Sequence, residues 1–215
     1  MASANDRAAQ RRDRRQKELQ ERRAGRKDIG EKQVRQRKLT RYTLMGVGAL
    51  LVVGAAYFIY TIYDDWESRR PPAGVQEFSG LTNLHTNGQV QYEQNPPVGG
   101  DHSAVWQNCG PYTLPVNNEN AVHSLEHGAV WITYQPDLPQ DQIDMLMAEA
   151  DRSYVLVSPY PDNLPAPIVA SAWGLQMQFD SADDPDLSRF VSAYRQGPQT
   201  QEPGAICHGG TSATR

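Results

Sequence analysis

The chain has 215 residues, a mass of 24.0 kDa and a formal net charge of −4 at pH 7. Residues 1–41 hold 15 of the 21 lysines and arginines but only 6 of the 25 acidic residues, whereas residues 42–215 hold 19 acidic and 6 basic residues. This length excludes a large multidomain enzyme, and two cysteines exclude a small protein held by several disulfides. The uneven charge indicates two segments in different surroundings.

An apolar segment follows the basic N-terminus. Residues 43–63 carry no charge, and a helix of that length spans roughly 30 Å, the thickness of a bilayer's hydrocarbon core. We therefore predict a transmembrane helix over residues 42–63. Aromatic residues that prefer the membrane interface lie at its two ends, at Tyr42, Tyr57, Tyr60, Tyr63 and Trp66.

The charges beside this segment predict its orientation. Lys38 and Arg41 precede it, and acidic residues from Asp64 onward follow it, so the positive-inside rule places the N-terminus in the cytoplasm. A cleaved signal peptide fits less well, because the apolar segment is too long and lacks a small-residue cleavage site. We expect a single-pass protein of the cell membrane whose C-terminal part is extracytoplasmic.

The basic tail, residues 1–41, is expected to be a solvated, partly helical or disordered determinant of topology. The lipid bilayer is the expected partner of the protein as a whole, through its membrane segment. Contact with anionic lipid is one alternative. Contact with nucleic acid is another, but nucleic acid is not expected, since basic runs commonly flank membrane segments.

Residues 64–74 predict a short stalk, extended at Pro71 and Pro72, and residues 75–215 form the extracytoplasmic domain. The order of its predicted elements indicates an α+β fold. Hydrophobic patterns predict strands at 129–134, 154–157, 168–173 and 175–179, a weakly alternating one at 89–93, and helices at 140–151 and from Pro185 to about 195, the last capped by Asp184.

Cys109 and Cys207 lie in the predicted extracytoplasmic domain, where oxidation is possible. We favour a disulfide between them. The alternative is a metal site formed by Cys207 and His208.

The stretch from His123 to His127 reads HSLEH. On a helix, residues i and i+4 share one face about 6 Å apart and can bind one ion, whereas on a strand they would lie about 13 Å apart. A metal site therefore requires a helix over 119–127, for which Asn118 is a candidate cap, Glu119 suits the first turn and Gly128 can end the helix.

Two further histidines are candidate ligands. His102 follows a loop rich in proline and glycine, and His85 lies upstream. Four imidazoles suit zinc or copper, and Met177 is a candidate soft ligand for reduced copper, although a methionine alternating within a strand more often belongs to the core. Asp101 is a candidate acceptor that orients an imidazole.

The same HSLEH stretch matches the inverzincin pattern, in which two histidines bind zinc and the glutamate is the general base. This alternative makes Glu126 catalytic and requires a third ligand from a downstream acid such as Glu202.

Four segments together resemble the Domain of Unknown Function family 3105: NPPVGGDH, PVNNENAVHSLEHGAVWITY, ASAW and CHGG. Its members are mostly bacterial, often with one N-terminal membrane span and an exported domain. The resemblance covers about residues 80–210, but Val98, Gly99 and Asp101 replace the usual Thr, Ser and Pro of the proline loop. It implies no activity. It places His85, His102, His123, Glu126 and His127 at positions of the family motif.

The leading hypothesis is a membrane-anchored extracytoplasmic module that binds copper or zinc through His123, His127, His102 and His85. Glu126 would orient a ligand or act as an acid or base, and metal carriage or a structural metal is expected rather than catalysis. One alternative is a non-catalytic module with structural histidines that docks an envelope or membrane protein, for which an exposed aromatic patch at Trp106 or Trp173 would be evidence. The other is a zinc-dependent hydrolase.

Overall fold

The computed structural model describes the backbone of residues 4–215, with side chains from residue 14 onward except at positions 24, 29 and 68. The chain divides into two units, residues 1–63 and residues 64–215. Positions 1–3 of the predicted tail lie outside the described residues.

Helix α1, Ala4–Ser68, forms the first unit as far as residue 63. Its last residues, 64–68, are assigned to the second unit. Within Arg14–Glu67, one stretch with a mean hydropathy of 1.9 is long and apolar enough to cross a membrane. Its apolar side chains are exposed, for example Leu50 at 73% and Tyr57 at 69%. Exposed apolar surface of this extent is better solvated by lipid than by water.

The helix also covers the described part of the basic tail and the start of the predicted stalk. The stalk is therefore helical as far as Ser68, and only the part around Pro71 and Pro72 is non-helical, as expected for a proline pair.

The second unit contains a six-stranded sheet with the strand order β1-β6-β5-β3-β4-β2. Strands β3 and β4 are parallel, while β3–β5, β5–β6 and β1–β6 are antiparallel. The strands are β1 Gln76–Glu77, β2 Gly110–Pro111, β3 Val130–Tyr134, β4 Val155–Pro159, β5 Ile168–Ala172 and β6 Leu175–Phe179. The helices are α2 Asn118–Glu126, α3 Gln140–Glu149 and α4 Pro185–Tyr194. This mixed architecture confirms the predicted α+β fold.

The two faces of the sheet are covered differently. Val130 and Ile132 of β3 pack with Leu146 of α3 and Phe190 of α4, and we call this side the α3/α4 face. Trp131, which points the other way, packs with residues of α2 and the loops, and we call this side the α2 face. The alternation follows from the period of two residues in a strand, and five successive buried residues in β3 show that both faces are covered.

Most predicted elements are confirmed, with ends shifted by a few residues. The strand predicted at 89–93 is wrong. Its polar groups bond to other segments instead of to a neighbouring strand. Val90 N donates to Glu119 Oε1 at 3.0 Å, and the Tyr92 hydroxyl donates to Asp101 O at 2.8 Å. Strands β1 and β2 were not predicted, since two residues are too few to show an alternation.

Candidate metal centre

Helix α2 places three functional side chains on one surface. His123 and Glu126 lie in its last turns, and His127 is its C-cap residue. The N-cap is Asn117 rather than the predicted Asn118, whose amide instead donates to the Tyr160 hydroxyl at 3.2 Å. Gly128 ends the helix with φ +92°, and a Cβ there would lie 2.6 Å from Gln196 Nε2, so the predicted glycine terminus is confirmed.

The chain after His102 runs along α2. Ser103 N donates to Glu119 O at 3.2 Å, and Gln107 N donates to Asn120 O at 2.9 Å. From the helix, the Ser124 hydroxyl donates to Gln107 O at 2.6 Å. These bonds hold the loop that carries His102 against the helix that carries His123.

A short backbone bridge brings His85 to the same place. His85 and His102 form an isolated parallel bridge, in which Thr86 N donates to His102 O at 2.7 Å and His102 N donates to Leu84 O at 3.0 Å. Leu84 N in turn donates to Asp101 Oδ1 at 3.1 Å. Asp101 therefore holds the segment of His85, and does not orient an imidazole as the sequence suggested.

Backbone carbonyls orient three of the imidazoles. The Nδ1 atoms of His102, His123 and His127 lie 2.8, 2.7 and 2.7 Å from the carbonyl oxygens of Gly100, Ser103 and Ile206. A carbonyl can only accept, so each Nδ1 carries a hydrogen and each neutral ring keeps its lone pair on Nε2. This is how proteins prepare histidines for metal binding.

Four side chains converge in a first group, His85, His102, His123 and Glu126, whose ligand atoms all lie within 4.8 Å of one another. The ring centroids of the three histidines are 4.9–5.0 Å apart. Ligands of one ion with bonds of about 2 Å are roughly 3.3 Å apart, so His85, whose Nε2 lies 4.0 Å from Glu126 Oε2, would move closer on binding. The His85 side chain is 49% exposed and has room for that movement.

The contact between His102 and Glu126 is the most informative within this group. His102 Nε2 lies 2.9 Å from Glu126 Oε2, and the two side chains are only 0% and 4% exposed. Among the described residues, this nitrogen has no hydrogen-bond partner. Two buried acceptor atoms at this distance repel each other unless a proton or a metal ion lies between them.

A second group contains His123, His127 and Glu202, again with ligand atoms within 4.8 Å. His127 Nε2 lies 3.5 Å from Glu202 Oε2, and that carboxylate is 53% exposed. The sequence hypothesis assigned His127 to one ion with His85 and His102. The structure instead groups it with Glu202, because His127 follows His123 by one helical turn and points toward the C-terminal segment.

Burial is the main reason that His123 is neutral. Burial, helped by the neighbouring His127, His102 and His85, lowers the pKa of its imidazole to about 4 against the opposing effect of the bond to Ser103 O. At neutral pH its Nε2 lone pair is therefore available to a cation.

The C-terminal segment is tied down beside this centre. Cys109 and Cys207 lie at disulfide distance, with Cα atoms 5.4 Å apart, as the predicted pairing requires. Cys207 is thus unavailable for the alternative metal site with His208, which is exposed. Glu202 N donates to Glu126 O at 3.0 Å, so the segment is also bonded to the end of α2.

Two tryptophans surround the histidines instead of forming an exposed patch. Trp173 is 7% exposed, and its ring centroid lies 5.9 Å from that of His102. The half-buried Trp106 has its ring centroid 5.7 Å from that of His123 and 5.0 Å from that of His127. Met177, the candidate copper ligand, packs against the core of the α3/α4 face. The carbonyl acceptors of the histidines were not predicted, since backbone groups leave no residue-specific signal in a sequence.

Fold and centre together define a class of protein: an α+β domain with a buried histidine–glutamate cluster, preceded by a helix apolar enough to cross a membrane. The family model described as "Protein of unknown function (DUF3105)" matches residues 84–209, and the chain belongs to this family. The matched range contains both ligand groups and both cysteines. No curated protein and no solved structure matches the chain.

Proposed function

We propose that this protein is a membrane-anchored, extracytoplasmic metal-binding protein that holds one copper or zinc ion through His85, His102, His123 and Glu126. The contact between the buried His102 Nε2 and Glu126 Oε2 at 2.9 Å carries the proposal. A cation between these atoms would convert the repulsion of two lone pairs into two coordinate bonds.

The donor set supports this choice of metals. Three imidazoles and one carboxylate suit Zn²⁺ or Cu²⁺, and a soft sulfur ligand for reduced copper is missing from both described groups. The surplus of acidic residues in residues 42–215 also attracts cations to the domain. The exposed apolar part of α1 supports the membrane anchor, and the flanking charges support a cytoplasmic N-terminus.

The test uses the full-length protein in detergent micelles. After the chain is stripped with a chelator and reloaded with Zn²⁺ or Cu²⁺, elemental analysis should find about one ion per chain. The double variant His102→Gln/Glu126→Gln should bind that ion at least about 100-fold more weakly, because two ligands are lost. His85→Gln removes an exposed ligand and should weaken binding by at least about tenfold without affecting folding.

The matched control is His208→Gln/Asp137→Asn, which removes one exposed histidine and one exposed carboxylate outside both ligand groups. It should bind like the natural protein. Substoichiometric uptake of both metals, or equal affinity of the His85→Gln variant and the control, would overturn the proposal.

Zinc-dependent hydrolysis is a second candidate function. It is favoured by the second group, in which Glu202 lies 3.5 Å from His127 and supplies the third ligand that the inverzincin pattern requires. If it is correct, Glu126→Gln should retain zinc and lose turnover of a model peptide or ester substrate. Loss of zinc in that variant would instead identify Glu126 as a ligand, as the first proposal states.

A further inference from the structure

His123 belongs to both ligand groups. Its Nδ1 is occupied by the bond to Ser103 O at 2.7 Å, so only Nε2 can bind an ion. One nitrogen lone pair forms one coordinate bond. The two groups therefore describe two positions for the same ion, and His123 cannot serve both at once.

The two positions differ in the ligand that they expose to solvent. The first group exposes an imidazole, since the His85 side chain is 49% exposed, but it buries His102 at 0% and its only carboxylate, Glu126, at 4%. In the second, the Glu202 carboxylate is 53% exposed, although its neighbour His127 is only 5% exposed. A hydrated cation meets a charged, exposed carboxylate before it reaches a buried one, and an exposed ligand can bind the ion before its last waters leave.

The second position is built rather than accidental. His127 has its Nδ1 held by Ile206 O at 2.7 Å, and its backbone carbonyl accepts from Gln196 Nε2 at 2.5 Å. Glu202 is held by its backbone bond to Glu126 O, and the disulfide at Cys207 fixes the end of the segment. The C-terminal segment therefore orients His127 and carries Glu202.

We propose that His123, His127 and Glu202 form a loading position, from which one metal ion passes to the buried position through the shared ligand His123. During the transfer, the bonds to His127 and Glu202 break as bonds to His102, Glu126 and His85 form, while His123 stays bound. The charge of the ion does not change, so no redox partner is required. This inference rests on the proposed metal-binding function.

Stopped-flow absorbance tests the proposal with the full-length protein in detergent. The apo protein is mixed with the complex of Cu²⁺ or Zn²⁺ with the chromophoric chelator 4-(2-pyridylazo)resorcinol, and ion transfer is followed as the colour is lost. Glu202→Gln should slow the transfer about tenfold, yet change the equilibrium affinity less than about threefold, because it removes a ligand of the loading position alone. His127→Gln should behave in the same way.

Asp137→Asn is the control for the lost charge, since this exposed carboxylate lies in the loop between β3 and α3. It should transfer the ion at the natural rate. Ion uptake at the natural rate by Glu202→Gln, or binding of two ions per chain at saturation, would overturn the loading position while leaving the metal-binding proposal intact. If the natural protein takes up neither ion, both proposals fail.

Discussion

The two faces of the sheet belong to the same strands but are covered by different kinds of side chain. The α3/α4 face is closed by apolar side chains such as Leu146, Leu187 and Phe190. The α2 face has an apolar base around Leu125 and Trp131, but its outer part buries imidazoles, a carboxylate and hydroxyl and amide groups.

This difference indicates that one face mainly stabilises the fold and the other carries the candidate site. Apolar packing is not directional, whereas each buried polar group needs a hydrogen-bond partner. On the α2 face these partners are backbone carbonyls for three Nδ1 atoms, while the Nε2 atom of His102 faces a carboxylate. We interpret the α3/α4 face as the support and the α2 face as the site.

The largest expected effect comes from the α3/α4 face. Phe190→Ala removes a fully buried ring and should lower the free energy of unfolding by about 3–5 kcal/mol, as measured by urea denaturation. The metal affinity of the folded protein should stay the same. Met145→Ala, at a side chain that is 50% exposed, is the control and should have little effect. A change in metal affinity in Phe190→Ala would contradict the separation of the two faces.

The next effect concerns the disulfide between Cys109 and Cys207. Cys109→Ser/Cys207→Ser opens a link with a sequence separation of 98. It should cost about 2–5 kcal/mol of unfolding free energy. Because the link holds the segment of Glu202 and Ile206, the variant should also load metal more slowly than the natural protein. Loss of stability with unchanged loading kinetics would show that the hydrogen bonds alone position this segment.

The free energy of unfolding should depend on pH through His123, which lies on α2. The pKa of His123 is about 4 in the folded protein, against an ordinary value of 6.5, so on acidification the unfolded chain takes up the proton first. The contribution of His123 to the free energy of unfolding is thus complete above pH 6.5 and falls between 6.5 and 4. The slope from this residue is at most about 1.4 kcal/mol per pH unit.

Urea denaturation of the metal-free protein at several pH values in this range checks the effect. His123→Gln should flatten the pH dependence, whereas His208→Gln, at an exposed histidine, should retain it. Equal slopes in the natural protein and His123→Gln would show that His123 is not the titrating group.

The smallest effect compares the starts of two helices, one on each face. Asp184 caps α4 through a bond from Asp186 N at 2.9 Å, so Asp184→Ala should cost about 1 kcal/mol. Asn117 begins α2 without a side-chain cap bond, so Asn117→Ala should cost only a few tenths of a kcal/mol. Equal losses in urea denaturation would mean that the capping bond does not stabilise α4.

Several parts of this structure were predictable because their signals are local. The helix at α4 follows from Asp184, Pro185 and an apolar repeat, and strand β6 from the alternation of Leu175, Met177 and Phe179. The spacing of His123 and His127 predicted that they share a helix face, and their ring centroids are 4.5 Å apart.

Other parts depended on contacts between distant segments. Tyr92 and Val90 have strand-like spacing but bond to Asp101 and Glu119, so no strand forms. His85 reaches the centre through a two-bond bridge to His102, which has no residue-specific signature.

The amino-acid sequence by itself determined the apolar helix, the α+β domain and the presence of paired histidines on α2. Hydrophobic periodicity, charge and residue spacing are local signals, which can be read within a short stretch of the chain. Only the tertiary structure decided which side chains can share an ion. It directs Glu126 toward His102, places Glu202 beside His127 and leaves His123 between the two groups. Those choices depend on where the loops are hydrogen-bonded, and backbone amides and carbonyls are the same at every position of the sequence.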